Sequence, residues 1–288
     1  MKSLCIKTNN SKILDYLLNE LKYTDIHDIC FSQNQFKHYK NVIIHYLSTD
    51  SSYFFSKISN LLSFLIIDEF EDTLMKRIIY KNYFYFDALE RNQILKNCYN
   101  LLSEEYYEWF DKKFNVLYDS LFQFISNNKV LVLDGFINFR LQKYTAILDE
   151  IVSEGVNNYI IEKEYMEFIS LLKLYINSQE SHSNIVHLIY KTSESILLDE
   201  GKNVILNSDE LFNAKYLSDI SFSSNDYTLN SLLSLLPKKI YIHLIDHQID
   251  EFINTLQLIF ENRVSLCLNC DICELYRYNK NPIFNKNK

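Results

Sequence analysis

Three cysteines fall within seven residues near the end of the chain, in the run Cys267-Leu-Asn-Cys270-Asp-Ile-Cys273. Two Cys-x-x-Cys steps in series can bring three sulfurs to one metal ion when a turn after a strand folds the spacing back on itself. A structural zinc ion takes four ligands, so the fourth has to come from Cys5, Cys30, Cys98 or a histidine brought close by folding. The alternative is a strand end with one buried thiol and two incidental ones. His243 and His247 have the four-residue spacing of a helical zinc pair. The intervening Leu244-Ile245-Asp246 reads as a strand end and a helix cap, however, so the two rings need not share a face. His45 and His187 lie in expected strands and read as half-buried residues with satisfied rings.

The cysteine run is similar to the first three ligands of a bacterial ferredoxin motif, but the next cysteine and its following proline are missing. The expectation is no cofactor, with zinc or an iron–sulfur group as the alternative if Cys267, Cys270 and Cys273 act together. Nothing else points to catalysis, and no catalytic or cofactor-binding residue is assigned. Asp134 precedes Gly135 at the start of a helix and reads as a cap. Glu162, Glu164 and Glu167 form an acidic stretch without the Glu-x-x-His arrangement of di-iron bundles, and read as a solvated face. Arg140, amid Phe136, Phe139 and Tyr144, could hold an anion; more often such an arginine lays its stem on aromatics and pairs with a carboxylate. No serine sits in a nucleophile elbow.

The elements that would position these residues follow from periodicity. Short strands over Leu4–Lys7, Ile29–Ser32 and Val42–Leu47 surround a helix over Ser11–Lys22. The Ser48-Thr49-Asp50-Ser51-Ser52 cluster closes this portion and can cap the next helix. From Ser52 to Ser178 apolar residues recur at helical spacing, including Phe55, Ile58, Leu61, Leu62 and Leu65. After His182 the period changes to two. Val186–Lys191 reads as a strand, and Ser195–Leu198 with Asn203–Leu206 as a hairpin about Asp199-Glu200-Gly201-Lys202. A helix over Tyr227–Leu236 stops at Pro237. Strand Lys239–Ile245, helix Asp246–Asn262 and strand Val264–Leu268 imply a parallel pair with a right-handed crossover. The fold class is α+β: an N-terminal α/β portion (1–50), a helical central region (51–180) and a C-terminal α/β portion (181–288), expected to form one compact unit.

Composition narrows the classes further. The chain of 288 residues is 48% hydrophobic and has only 3 glycines, no two of them within ten residues, which excludes the usual phosphate-binding glycine loops. A net charge of −8 disfavours a broad nucleic-acid-binding face, and the lysines of the tail at 279–288 read as a solvated terminus. The longest apolar run, near Leu61–Ile67, is far short of the ~20 residues that span a membrane. The first residues do not have the form of a secretory leader, so the expected setting is the cytoplasm, with reduced thiols.

The segment Val130-Leu-Val-Leu-Asp-Gly-Phe-Ile-Asn-Phe-Arg140-Leu-Gln-Lys-Tyr144 resembles the signature stretch of the YtxC-like sporulation proteins of endospore-forming Firmicutes. Ile161-Glu-Lys-Glu-Tyr-Met-Glu-Phe-Ile169 and Leu236-Pro-Lys-Lys-Ile-Tyr-Ile-His243 are also similar to that family. The resemblance covers the chain well from about residue 130 onward and the N-terminal part in outline. It implies a role in sporulation and supplies no catalytic residues to carry over. The resulting expectation is a sporulation-associated protein working through contacts with an unknown protein partner. The alternative is a metal- or redox-dependent protein using the three cysteines.

Overall fold

A computed structural model describes residues 2–23, 28–36, 39–104, 106–191, 194–205 and 223–278. The chain divides into two compact units, Met1–Glu162 and Lys163–Lys288, with the division falling inside one long helix.

The first unit begins with β1 (Lys2–Thr8), α1 (Ser11–Tyr23), β2 (Ile29–Gln35) and β3 (Lys40–Tyr46). Alternation in β1 buries Leu4, Ile6 and Thr8, and α1 presents Ile13, Leu14, Leu17 and Leu21 as its buried stripe. There follow α2 (Ser51–Asn82), α3 (Ala88–Glu104), α4 (Tyr106–Asn127), β4 (Val130–Val132), α5 (Leu133–Arg140) and α6 (Gln142–Ser178). The Asp50 side chain caps α2 by accepting the Tyr53 N–H at 3.1 Å. The centre is helical, as its spacing implies, with one interruption. Val130-Leu-Val runs as a strand parallel to β1, and the sheet order is β2-β3-β1-β4. Three consecutive apolar residues just after α4 ends favour an extended segment that buries Leu131 under the sheet.

Two close contacts tie the helices of this unit. Lys113 of α4 donates to both carboxylate oxygens of Glu71 on α2 at 2.8 Å, and the Tyr144 hydroxyl of α6 donates to the same carboxylate at 2.6 Å. All three are buried. Gly155 of α6 lies against Cys98 of α3, where an added Cβ would meet the Cys98 Sγ at 2.6 Å. Glycine weakens a helix interior by about 1 kcal/mol relative to alanine, and here the contact distance is the reason it is there.

The second unit contains the rest of α6, β5 (Ser183–Lys191), β6 (Glu194–Leu198), α7 (Ser224–Leu235), β7 (Pro237–Leu244), α8 (Glu251–Phe260), β8 (Val264–Cys267) and α9 (Asp271–Tyr278). The sheet order is β6-β5-β7-β8, with β5, β7 and β8 parallel and β6 antiparallel to β5. The expected parallel pair around α8 is therefore present. One sheet face, through Val186, Leu188, Ile240, Ile242 and Leu244, packs with residues of α6, α7 and α8. The opposite face, through Ile189, Ile196 and Leu198, packs with Ile272 and Cys273 of α9.

Three details depart from the periodicity. The Asp199–Lys202 turn forms, but its second arm is reduced to a bridge between Leu198 and Val204; Leu206 and the basic tail lie outside the described residues. Helix α8 starts at Glu251 rather than Asp246. His247 has a positive φ of 59°, and Asp250 caps the helix by accepting the Ile253 N–H at 3.0 Å. Helix α9, only eight residues long, gave too short a pattern to anticipate.

Candidate metal centre

Strand parity places the first two of the candidate ligands. In β7, residues 240, 242 and 244 turn toward the helical layer, so Tyr241 and His243 turn to the α9 face. The register pairs His243 with Cys267, the last residue of β8. The two side chains thus emerge side by side at the carboxyl ends of neighbouring parallel strands, where open α/β sheets commonly build their sites. The chain then turns through Leu268 and Asn269 to Cys270, immediately before α9, and Cys273 occupies the first turn of that helix.

The four donor atoms, His243 Nδ1 and the three Sγ atoms, all lie within 4.8 Å of one another. Cys267 and Cys273 Sγ are 3.8 Å apart, and Cys270 and Cys273 Sγ 3.6 Å apart. The sulfurs of Cys270 and Cys273 each lie 3.4 Å from His243 Nδ1. A tetrahedral zinc with sulfur at about 2.3 Å and nitrogen at about 2.05 Å sets two sulfurs about 3.8 Å apart and a sulfur–nitrogen pair about 3.5 Å apart. These four separations are close to the edges of that tetrahedron, and the remaining two are bounded by 4.8 Å. All the cysteines are free thiols. A four-iron cube would hold its ligands farther apart, because its irons occupy separate corners. This donor set could hold a single metal ion.

Protonation is consistent with such a role. Burial pushes the His243 imidazolium down to about 4, with His187 and Lys202 acting in the same direction, so the ring is neutral at pH 7. Burial and neighbouring thiols push the Cys273 thiol up to about 12, and Cys267 is also raised, chiefly by burial. Burial would raise Cys270 as well, but the Cys273 N–H donates to its sulfur, hydrogen bonding with the neighbouring thiols acts in the same direction, and it ends below the ordinary thiol value. Cys270 is thus the readiest of the three to give up its proton, and all three sulfurs must be thiolates to hold a metal.

Of the sequence candidates, Cys267, Cys270 and Cys273 come together, and the fourth donor is His243. His247 stays outside, with its Nε2 3.1 Å from an Arg277 nitrogen. Cys5, Cys30 and Cys98 belong to the first unit, where Cys98 is buried against α6. His45 bonds the Ser3 hydroxyl at 2.8 Å. Asp134 is not the cap of α5, whose cap residue is Val132. Its carboxylate instead accepts from the Thr8 hydroxyl and the Asn9 N–H, at 3.4 and 3.3 Å. Arg140 stacks over Phe124, with its guanidinium carbon 5.8 Å from the ring centre. Glu162, Glu164 and Glu167 are exposed. His187 is half-buried in a strand with a bonded ring, as expected; the partner that the spacing did not name is His243, whose Nε2 lies 3.0 Å from the His187 Nδ1. The available signal was its odd parity relative to Val186 and Leu188, the same parity that turns His243 away from the helical layer.

Comparison with known proteins bears on the chain as a whole. The YtxC-like family model matches residues 56–265. The chain belongs to the YtxC-like family. Among curated proteins, "Uncharacterized protein YtxC" of Bacillus subtilis (strain 168) is 22% identical over 208 residues, covering 68% of this chain and 71% of that protein. No solved structure gives a significant match. The YtxC-like match includes His187 and His243 and stops two residues before Cys267, so the family likeness and the cysteine cluster are separate observations. Among the described residues, no helix is long and apolar enough to cross a membrane.

Proposed function

We propose that this YtxC-like protein carries a closed, structural zinc centre, held by His243 Nδ1 and the thiolates of Cys267, Cys270 and Cys273. On this reading the protein serves sporulation in the cytoplasm through contacts with a protein partner rather than through catalysis. The observation that carries the metal reading is the convergence of four donor atoms within 4.8 Å of one another, four of their six separations being close to tetrahedral edge lengths. Four protein ligands leave no open coordination position for water or substrate, and this is the arrangement of a structural rather than a catalytic zinc. The ion would fasten α9 and the end of β8 to β7.

The sporulation assignment draws on the family resemblance of the stretch from Val130 to Tyr144. A contact role is supported by a ladder of aromatic rings on α4. Phe110, Phe114, Tyr118 and Phe122, spaced four residues apart, stack at 5.6, 6.3 and 5.9 Å between successive centroids. Phe64 of α2, 42% exposed, lies beside the ladder, and such aromatic surface is enriched at protein interfaces. The net charge of −8 favours a protein partner over a nucleic acid.

The test is the metal content of protein purified without oxygen. About one zinc per chain is expected, and its loss in a Cys267→Ser/Cys270→Ser/Cys273→Ser variant. Metal-free wild-type protein that remains fully folded, and takes up no added zinc, would remove the centre. Iron with visible absorbance would instead support the redox reading.

A further inference from the structure

We infer that His187 is a positioning residue for this centre: its Nδ1 accepts the Nε2–H of His243 and so fixes His243 Nδ1 as the atom that faces the three sulfurs. The inference rests on the zinc reading and adds to it a residue that touches no metal.

The geometry begins in the sheet. His187 of β5 pairs with Tyr241 of β7, and Ile189 pairs with His243. His187 and His243 are therefore diagonal neighbours on one face, with ring centroids 5.3 Å apart and ring planes at 27°. The His187 ring also stacks on Tyr241, at 5.4 Å and 20°, which restrains its own orientation. The contact of 3.0 Å joins His187 Nδ1 to His243 Nε2, the nitrogen on the side of the ring away from the cysteines.

One proton lies between those two nitrogens, and its position decides whether His243 can act as a ligand. If it sits on His187 Nδ1, His243 accepts at Nε2 and its remaining N–H points at the thiols, where a metal would have to be. If it sits on His243 Nε2, the Nδ1 lone pair is free toward the sulfurs. The second arrangement requires His187 to be a neutral acceptor at Nδ1. Metal-bound histidines generally hand their other N–H to an acceptor that sets the tautomer and ring orientation, and removing the acceptor typically costs 10–100-fold in metal affinity.

Asparagine offers a discriminating replacement, because its Oδ1 occupies the position of His Nδ1 and can only accept. Zinc affinity of the full chain would be measured by competition with a chromophoric chelator for wild type, His187→Asn and His187→Leu. A nitrogen-15 spectrum of the zinc-loaded wild type would report the His243 tautomer. The expected result is a loss of 10–100-fold in His187→Leu, affinity near wild type in His187→Asn, and a metal-bound Nδ1 with a protonated Nε2. Equal affinity in wild type and His187→Leu would overturn the inference while leaving the zinc centre standing. So would equal losses in the Asn and Leu variants, which would reduce His187 to packing, or a metal-bound Nε2. A wild type that binds no zinc would instead remove the reading on which the inference rests.

Discussion

Protons on the thiols stand in the way of a metal, most firmly at two of the four candidate ligands. Cys273 titrates at about 12 and Cys267 is raised, whereas His243, at about 4, is already neutral at pH 7. Zinc takes thiolates, so entry must expel protons from the sulfurs, those two in particular, and acid opposes binding. Apparent zinc affinity should fall at least about 100-fold for each pH unit lost below neutrality, about one factor of ten per displaced thiol proton. Calorimetric titrations at pH 7.5 and 6.5 in buffers of different ionisation heat would check both the slope and the proton release. A slope near zero would mean that the thiols are not ligands. The cysteine spacing was legible in the sequence because Cys-x-x-Cys steps are local. His243 was less so: it lies 24 residues before Cys267, and only the register of β7 on β8 brings them together. The strand and face of His187 were legible from its parity, but its contact with His243 was not, since a diagonal contact across parallel strands leaves no fixed spacing.

The helices of the first unit were readable from their 3.6-residue stripes, but what pins them to one another was not. A lysine amid the charged and aromatic residues of α4 reads as exposed, whereas Lys113 is buried on Glu71 with Tyr144 completing the group. Burial and the Glu71 charge push the Tyr144 hydroxyl far above its ordinary value, so it stays a donor at any working pH. Replacing Lys113 alone leaves the Glu71 carboxylate buried without its counter-charge, which typically costs 3–5 kcal/mol. Lys113→Met should therefore lower stability by about that much in denaturant titrations. The double variant Glu71→Met/Lys113→Met should recover most of it, because a buried ion pair contributes little net stability over apolar residues of similar volume. If the two single losses simply add in the double variant, the pair is not a coupled unit. Strand β4 was also hidden, because three apolar residues between helices carry no periodicity of their own.

At the scale of the whole chain, the α+β class and the helical centre follow from where the hydrophobic period is 3.6 and where it is 2, and the strand–helix–strand end was visible for the same reason. What stayed out of reach were features set by single residues, such as the late start of α8 beyond His247. With zinc as a fastener of β7, β8 and α9, a chelator should act on one region only. Hydrogen exchange in EDTA should rise through Val264–Tyr278 while α2 and α4 keep their protection, since those helices are stabilised by a separate core. Uniform deprotection, or none, would contradict this. The register of the second sheet has a further consequence. Because His243 and Cys267 are brought together only by the pairing of β7 with β8, a one-residue slip of β8 would turn Cys267 to the opposite face and leave His243 without its sulfur neighbour there.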